Sequence, residues 1–285
     1  MSGTGIAELI TVADWMFSVG DIATQKMSSY YLASKGVPVL EVNEYQFAGN
    51  TAVVGGGHLL GYQSHLKQHV VPGPHVLNAA GVHANGDYGY LKEYKYVSVR
   101  DKVSRSITGF GALVPCPATM LGDHINSIYR RERSRQRGGH IVVHRDPQVE
   151  RAMSRQDCDM LVVDPQPNRG NPWMIGGRIC RPIHSPYLMC AELIGAYCVV
   201  TRSLHLAIFA LAMEVPFCCI DLGDEPQSNK MRHYFDRVGM ADVMYDGNNP
   251  VHHAVSRKHD LKAKLAQEKA TLGTHFSAMA AAIKG

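Results

Sequence analysis

Short apolar runs that stop at Gly, Pro or Asp alternate with longer helical patterns along most of this chain. Such alternation is the mark of β-α-β units feeding a parallel sheet. The first run covers 8–14, and the turn Val19-Gly20-Asp21 leads into a helix over roughly 21–34. Runs at 37–42, 51–54, 75–79 and 94–99 follow, rich in β-branched residues. Their continuous apolar character fits strands covered on both faces.

The pattern lapses into polar, Arg-rich sequence over 122–139 and then restarts. Strands are expected at 140–144, 160–164, 197–201, 216–221 and 242–245, with helices at 186–195 and 203–213. The stretch 250–283 is rich in Ala and Lys and reads as one or two helices. The fold class expected is α/β, with two Rossmann-like, doubly wound parallel-sheet domains. Their boundaries fall at 1–125 and 139–285, joined by an Arg-rich linker at 126–138. In such folds the carboxyl ends of the strands line the ligand crevice, so one shared cleft is expected.

Composition supports this and narrows the partners. At 285 residues, 45% hydrophobic and 19% charged, the chain is long enough for two cores and is no disordered polymer. The net charge is +4, and the run from Arg130 to Arg137, with five Arg and one Glu, accounts for it. The remainder is balanced, so charge does not imply a nucleic-acid partner. The run itself reads as a solvated linker or as a contact for an anionic membrane surface. Seven Cys, an odd number without a CxxC pair, read as buried thiols in a reducing compartment. No signal peptide and no apolar stretch of about 18–20 residues is visible, so the chain reads as cytoplasmic, with membrane contact only peripheral, at the inner face. No ligand-spaced His/Cys set appears, and no metal is expected.

Four segments carry candidate chemistry. Val53-Val54-Gly55-Gly56-Gly57-His58 is a strand entering a three-glycine turn, which lets backbone approach a ligand closely or simply turns the chain. It is neither GxGxxG nor a P-loop. Gly20-Asp21 places a carboxylate at a helix start, as a cap or as a group that orients or deprotonates a hydroxyl. Arg100 ends a strand beside Asp101, so it faces the crevice toward an anion or pairs with its neighbour. Thr201-Arg202-Ser203-Leu204-His205 runs from a strand into a helix, where free N–H groups, an Arg and an imidazole can converge on an anion.

These segments, in this order, resemble the polysaccharide pyruvyl transferase family. Its pattern is an early Gly-Asp, a Gly-Gly-Gly turn, V-S-V-R-D-x-x-S, and a late R/S-L-H followed by an apolar helix and V-P. Here they stand as Gly20-Asp21, Gly55-Gly56-Gly57, Val97 to Ser104, and Ser203-Leu204-His205 through Val215-Pro216, with a late Lys-led helix from Lys230. The family's pattern commonly has Arg directly before Leu-His, whereas Ser203 stands there and Arg202 lies one residue earlier.

The resemblance implies a GT-B-like architecture, with the first domain on the acceptor side and the second on the donor side. It implies transfer of pyruvate from phosphoenolpyruvate onto two hydroxyls of one sugar, in a lipid-linked or polymeric saccharide, with no cofactor. Donor binding then falls to Arg100, Arg202, Ser203 and Lys230. His205 is the general acid or phosphate clamp, and Asp21 the base or acceptor-orienting group. Gly55, Gly56, Gly57 and His58 would line the acceptor side. Competing readings are a GT-B glycosyltransferase using a nucleotide sugar and a non-catalytic saccharide-binding homologue.

Overall fold

The computed structural model describes residues 7–11, 19–43, 51–55, 73–82, 87–129, 139–154, 156, 158–164, 174–175, 178–224, 226–257 and 259–285. The chain divides into two compact units. The first comprises 1–15, 23–117 and 268–285, and the second 16–22 and 118–267.

In the first unit, six parallel strands lie in the order β2-β1-β3-β4-β5-β6. They are β1 Ala7–Thr11, β2 Val39–Asn43, β3 Thr51–Gly55, β4 Val76–Ala80, β5 Tyr96–Val99 and β6 Ala112–Leu113. Every residue of β4 is buried, as the unbroken apolar run of a central strand demands. Ala52, Val54, Leu77, Val97 and Val99 pack one core with Leu91 and Tyr88. Helix α1 (Val19–Ser34) begins two residues before the expected start, and α2 (Lys102–Thr108) follows β5.

The second unit holds seven strands, ordered β13-β12-β11-β7-β8-β10-β9. These are β7 Ile141–His144, β8 Met160–Asp164, β9 Met174–Ile175, β10 Arg178–Pro182, β11 Cys198–Thr201, β12 Phe217–Ile220 and β13 Met244–Tyr245. All neighbours run parallel except β9, which pairs antiparallel with β10 at the edge. From β10 to β13 this is the 3-2-1-4-5-6 strand order of a Rossmann sheet. Both doubly wound, Rossmann-like sheets expected from the sequence are therefore present. The helices are α3 Leu121–Tyr129, α4 Pro147–Met153, α5 Pro186–Ile194, α6 Leu204–Ala212, α7 Pro226–Val238, α8 Pro250–Ser256 and α9 Leu261–Lys284. All nine residues of α6 are buried, as its apolar sequence requires.

The two compact units are not divided at a single point along the chain. Helix α3 lies where the pattern lapsed, and it belongs to the second unit. A Cβ at Gly122 would collide with the Ala212 carbonyl, so α3 crosses the end of α6 at backbone distance, which glycine alone allows. At the other end, α9 leaves the second unit after Gln267, and 268–285 count with the first. There Phe276 stacks on Tyr31 with centroids 5.3 Å apart, and the Lys284 ammonium donates to the Lys35 carbonyl at 2.7 Å. The Arg-rich run 130–137 lies outside the described residues.

Cys116, Cys158, Cys190, Cys198, Cys218 and Cys219 are free thiols. Burial pushes the thiols of Cys190, Cys198, Cys218 and Cys219 upward, so they act as small hydrophobes. Among the described residues, no helix is long and apolar enough to cross a membrane.

Candidate active site

The strand order of the second sheet reverses between β7 and β11, where open α/β sheets collect ligands at the carboxyl ends. Beyond β7 come Arg145 and Asp146, and beyond β11 come Arg202 and Ser203. Asp146 caps α4, accepting from the N–H groups of Gln148 at 2.9 Å and Val149 at 3.4 Å. The same carboxylate takes the Arg202 Nη1 on both oxygens, at 3.1 and 3.0 Å. Burial opposes its ionisation, but the Gln148 N–H and the Arg202 guanidinium hold the carboxyl below the usual range. Arg145 Nη1 pairs with Asp164 Oδ2 at 2.9 Å, joining the ends of β7 and β8.

His144 ends β7 beneath these ion pairs. Burial pushes its imidazole down to about 4, with Asp146 and Asp164 pulling upward and Arg202 adding to the depression. The ring is thus neutral, and its Nδ1 accepts from the Arg202 backbone N–H at 3.3 Å. Sequence reasoning missed His144 and Asp146. An Asp-Pro pair directly after a strand is nonetheless a helix N-cap signal.

Ser203 is the N-cap of α6, with φ −97° and ψ 120°. Its N–H donates to Thr201 Oγ1 at 2.8 Å, and its Oγ accepts from the Leu206 N–H at 3.4 Å. Arg202 precedes this cap, at a bend between β11 and α6. The one-residue offset from the family's Arg therefore falls outside helical periodicity.

His205 enters the first turn of α6, only 6% exposed. Its Nε2 lies 3.9 Å from Asp21 Oδ1, in the first turn of α1, and the Asp21 side chain is 32% exposed. Asp21 is the outward member of this pair and His205 the buried one. Gly20 covers the Cγ and Nδ1 side of the ring. Gly20, Asp21 and His205 thus meet in the second unit, at the start of the helix that Ser203 caps. Lys230 sits half-buried on α7 of the same unit. The neighbouring Arg232 clamps Asp221 at 2.8 and 2.9 Å and donates to the Gly223 carbonyl at 3.1 Å.

Arg100 belongs to the first unit. Its side chain is 1% exposed, with its guanidinium over Gly81, where a Cβ would approach it within 2.6–2.8 Å. Asp101 lies 3.9 Å from the Arg100 Nε and mainly caps α2, accepting from the Ser104 N–H at 2.7 Å. The serines of the same segment pin the end of β4. Ser98 Oγ accepts from the Ala79 N–H at 2.8 Å and donates to the Leu77 carbonyl at 2.9 Å, while Ser104 Oγ accepts from the Val82 N–H at 3.0 Å. Between Leu77 and Ala80 the β4–β5 register slips, and Ala79 takes φ 49°. V-S-V-R-D-x-x-S is therefore a local clasp around a strained strand end. Gly55 ends β3 against the Asn78 carbonyl, where no side chain fits, whereas Gly56, Gly57 and His58 lie outside the described residues.

The family model for polysaccharide pyruvyl transferases matches residues 51–224, well over half of the chain. The chain belongs to the polysaccharide pyruvyl transferase family. The matched span includes Gly55, Arg100, Arg202, Ser203 and His205, while Asp21 and Lys230 lie outside it. No curated protein matches the sequence. Among solved structures, the chain is similar to the UDP-GlcNAc 2-epimerase of Methanocaldococcus jannaschii in complex with UDP-GlcNAc and UDP. Identity is 9% and the TM-score 0.49, covering 93% of this chain and 98% of that one. It is also similar to an alpha-glucosyltransferase in complex with UDP, at 6% identity and TM-score 0.48, covering 98% and 94%.

Proposed function

We propose that this pyruvyl transferase moves the carbon skeleton of phosphoenolpyruvate onto two hydroxyls of a lipid-linked or polymeric saccharide, forming a pyruvate ketal and phosphate. The observation that carries the reading is the meeting of Gly20-Asp21 with Ser203-Leu204-His205, two motif segments far apart in sequence, at the start of α6.

The donor brings a phosphate and a carboxylate, which suit helix-terminal N–H groups and cations. Ser203, Arg202 and Lys230 fill that role in the second unit. Arg202 reaches the donor by exchanging its Asp146 partner for the donor's anion. Arg100 is the further candidate, on the first unit, and its burial makes that role one to be tested separately from folding. The Gly55–His58 turn is assigned to the acceptor.

Chemistry requires a proton on the donor's methylene carbon, which becomes the ketal methyl as C2 turns electrophilic. One sugar hydroxyl adds to C2 and a second displaces phosphate by C–O cleavage. Of the two protons released by the hydroxyls, one restores the acid and the other leaves with phosphate. Asp21 and His205 are the proton-handling pair. Asp21 Oδ1 stands 3.9 Å from His205 Nε2, which makes the carboxylate the neighbour of the ring nitrogen assigned to proton transfer.

Comparing His205→Gln with His205→Ala tests the assignment. Both should lower phosphate release from phosphoenolpyruvate on the order of 10²- to 10⁴-fold if acid catalysis is the task. Partial rescue by Gln would instead identify a phosphate clamp. Parent-like turnover by both variants, folded, refutes the site. Turnover of a nucleotide sugar in place of phosphoenolpyruvate refutes the reaction.

A further inference from the structure

Gly20 is the second residue of α1, where its backbone conformation is ordinary for any amino acid. Helix formation does not ask for glycine there, which is the least favourable helical residue after proline. What excludes a side chain is the neighbour. A methyl group on Gly20 would overlap the Cβ, Cγ and Nδ1 of His205. Cγ and Nδ1 could move by a rotamer change, but Cβ is placed by the backbone of α6 and cannot swing aside. A residue other than glycine must therefore displace the start of α1 or the start of α6.

We infer that Gly20 is a positioning residue for the proton-handling pair, resting on the reading that His205 and Asp21 share that role. Its backbone closes off the Nδ1 side of the imidazole, and the following residue presents Asp21 Oδ1 to Nε2 at 3.9 Å. One helical turn thus supplies both the wall behind the ring and the carboxylate in front of it. Nε2 is the nitrogen left to exchange the proton.

Two measurements on the full chain test this. The first is a stability cycle with Gly20→Ala, His205→Ala and the double variant, read as thermal midpoints. In the parent background Gly20→Ala should lower the midpoint by several degrees. In the His205→Ala background, where the overlap is gone, the cost should vanish or reverse. Equal cost in both backgrounds overturns the inference, as does a double variant that fails to fold. A Gly20→Ala chain that folds only when His205 is also Ala supports it. This cycle needs no turnover, so it is decided even if the proposed reaction proves wrong.

The second measurement is the kinetic split. Gly20→Ala should lower kcat on the order of 10²-fold, as expected when a catalytic group is displaced by about an ångström, with KM for phosphoenolpyruvate near the parent value. A folded Gly20→Ala protein with parent kcat, or a loss confined to KM, overturns the positioning role.

Discussion

Replacing His275 by Gln should flatten the acid side of the stability profile. His275 lies on α9, 2% exposed, with Nε2 at 2.8 Å from Asn78 Oδ1 and Nδ1 at 3.1 Å from the Tyr96 hydroxyl. Asn78 in turn donates to Ser28 Oγ at 2.7 Å, so one buried network joins α1, β4, β5 and α9 within the first unit. Asn78 Oδ1 can only accept, which puts the imidazole proton on Nε2 and leaves Nδ1 to accept from Tyr96. Burial pushes the ring down to about 3 from its ordinary 6.5. The folded value lies below the unfolded one, so the unfolded chain takes the proton first. Stability from this group is complete above about pH 6.5 and falls as pH drops toward the folded value. Each pH unit in that window costs about 1.4 kcal/mol, hence about 2 kcal/mol between roughly pH 7.5 and 5. That figure holds wherever the folded value lies well below pH 5. The check is denaturant unfolding followed by circular dichroism at several pH values. The parent should lose about 2 kcal/mol more than His275→Gln over this interval. Equal pH slopes for the two proteins would refute the buried neutral imidazole.

Other substitutions have definite expectations. Arg100→Ala removes a buried guanidinium and should destabilise by about 1–3 kcal/mol in denaturant unfolding. Gly81→Ala, which pushes a methyl into the same guanidinium, should destabilise as well, and an unchanged midpoint for both would contradict the packing described. Asp146→Asn keeps a cap acceptor for α4 but loses the charge of the Arg202 pair, a cost of about 1–3 kcal/mol. No loss there would mean that the pair contributes nothing to the fold. Ser203→Ala removes the cap of α6 and should cost about 1 kcal/mol, read by the same unfolding experiment.

The parallel strands were legible because strands covered on both faces need uninterrupted β-branched or apolar runs, and 51–54, 160–164 and 197–201 supply them. The observed strands Thr51–Gly55, Met160–Asp164 and Cys198–Thr201 shift by a residue at most. Two-residue strands such as β6 and β9 carry no period to detect. Helix α3 is hidden by the polar, Arg-rich sequence it runs into, and its close contact through Gly122 with the Ala212 carbonyl leaves no periodic signal. Nothing local tells a reader that α9 is shared between the two units. At the site, Ser203 and His205 could be placed at a helix start from sequence alone. Their meeting with Gly20 and Asp21 could not, since helical periodicity is silent about which helix faces which. Arg100 shows the same limit: its strand-end position left a crevice contact and a pair with Asp101 both open, and its burial depends on the bulge at Ala79 and the absence of a side chain at Gly81.

Carbon protonation during pyruvyl transfer can be read from the product formed from phosphoenolpyruvate and a panel of saccharides in heavy water, examined by mass spectrometry and NMR. The expected product is a sugar heavier by one pyruvate less one water, with a deuteron in the ketal methyl group and phosphate released in equal amount. His205→Ala, still folded, should form this product far more slowly than the parent. A saccharide that gains a hexose from a nucleotide sugar, or a ketal methyl without deuterium, would contradict the proposed reaction.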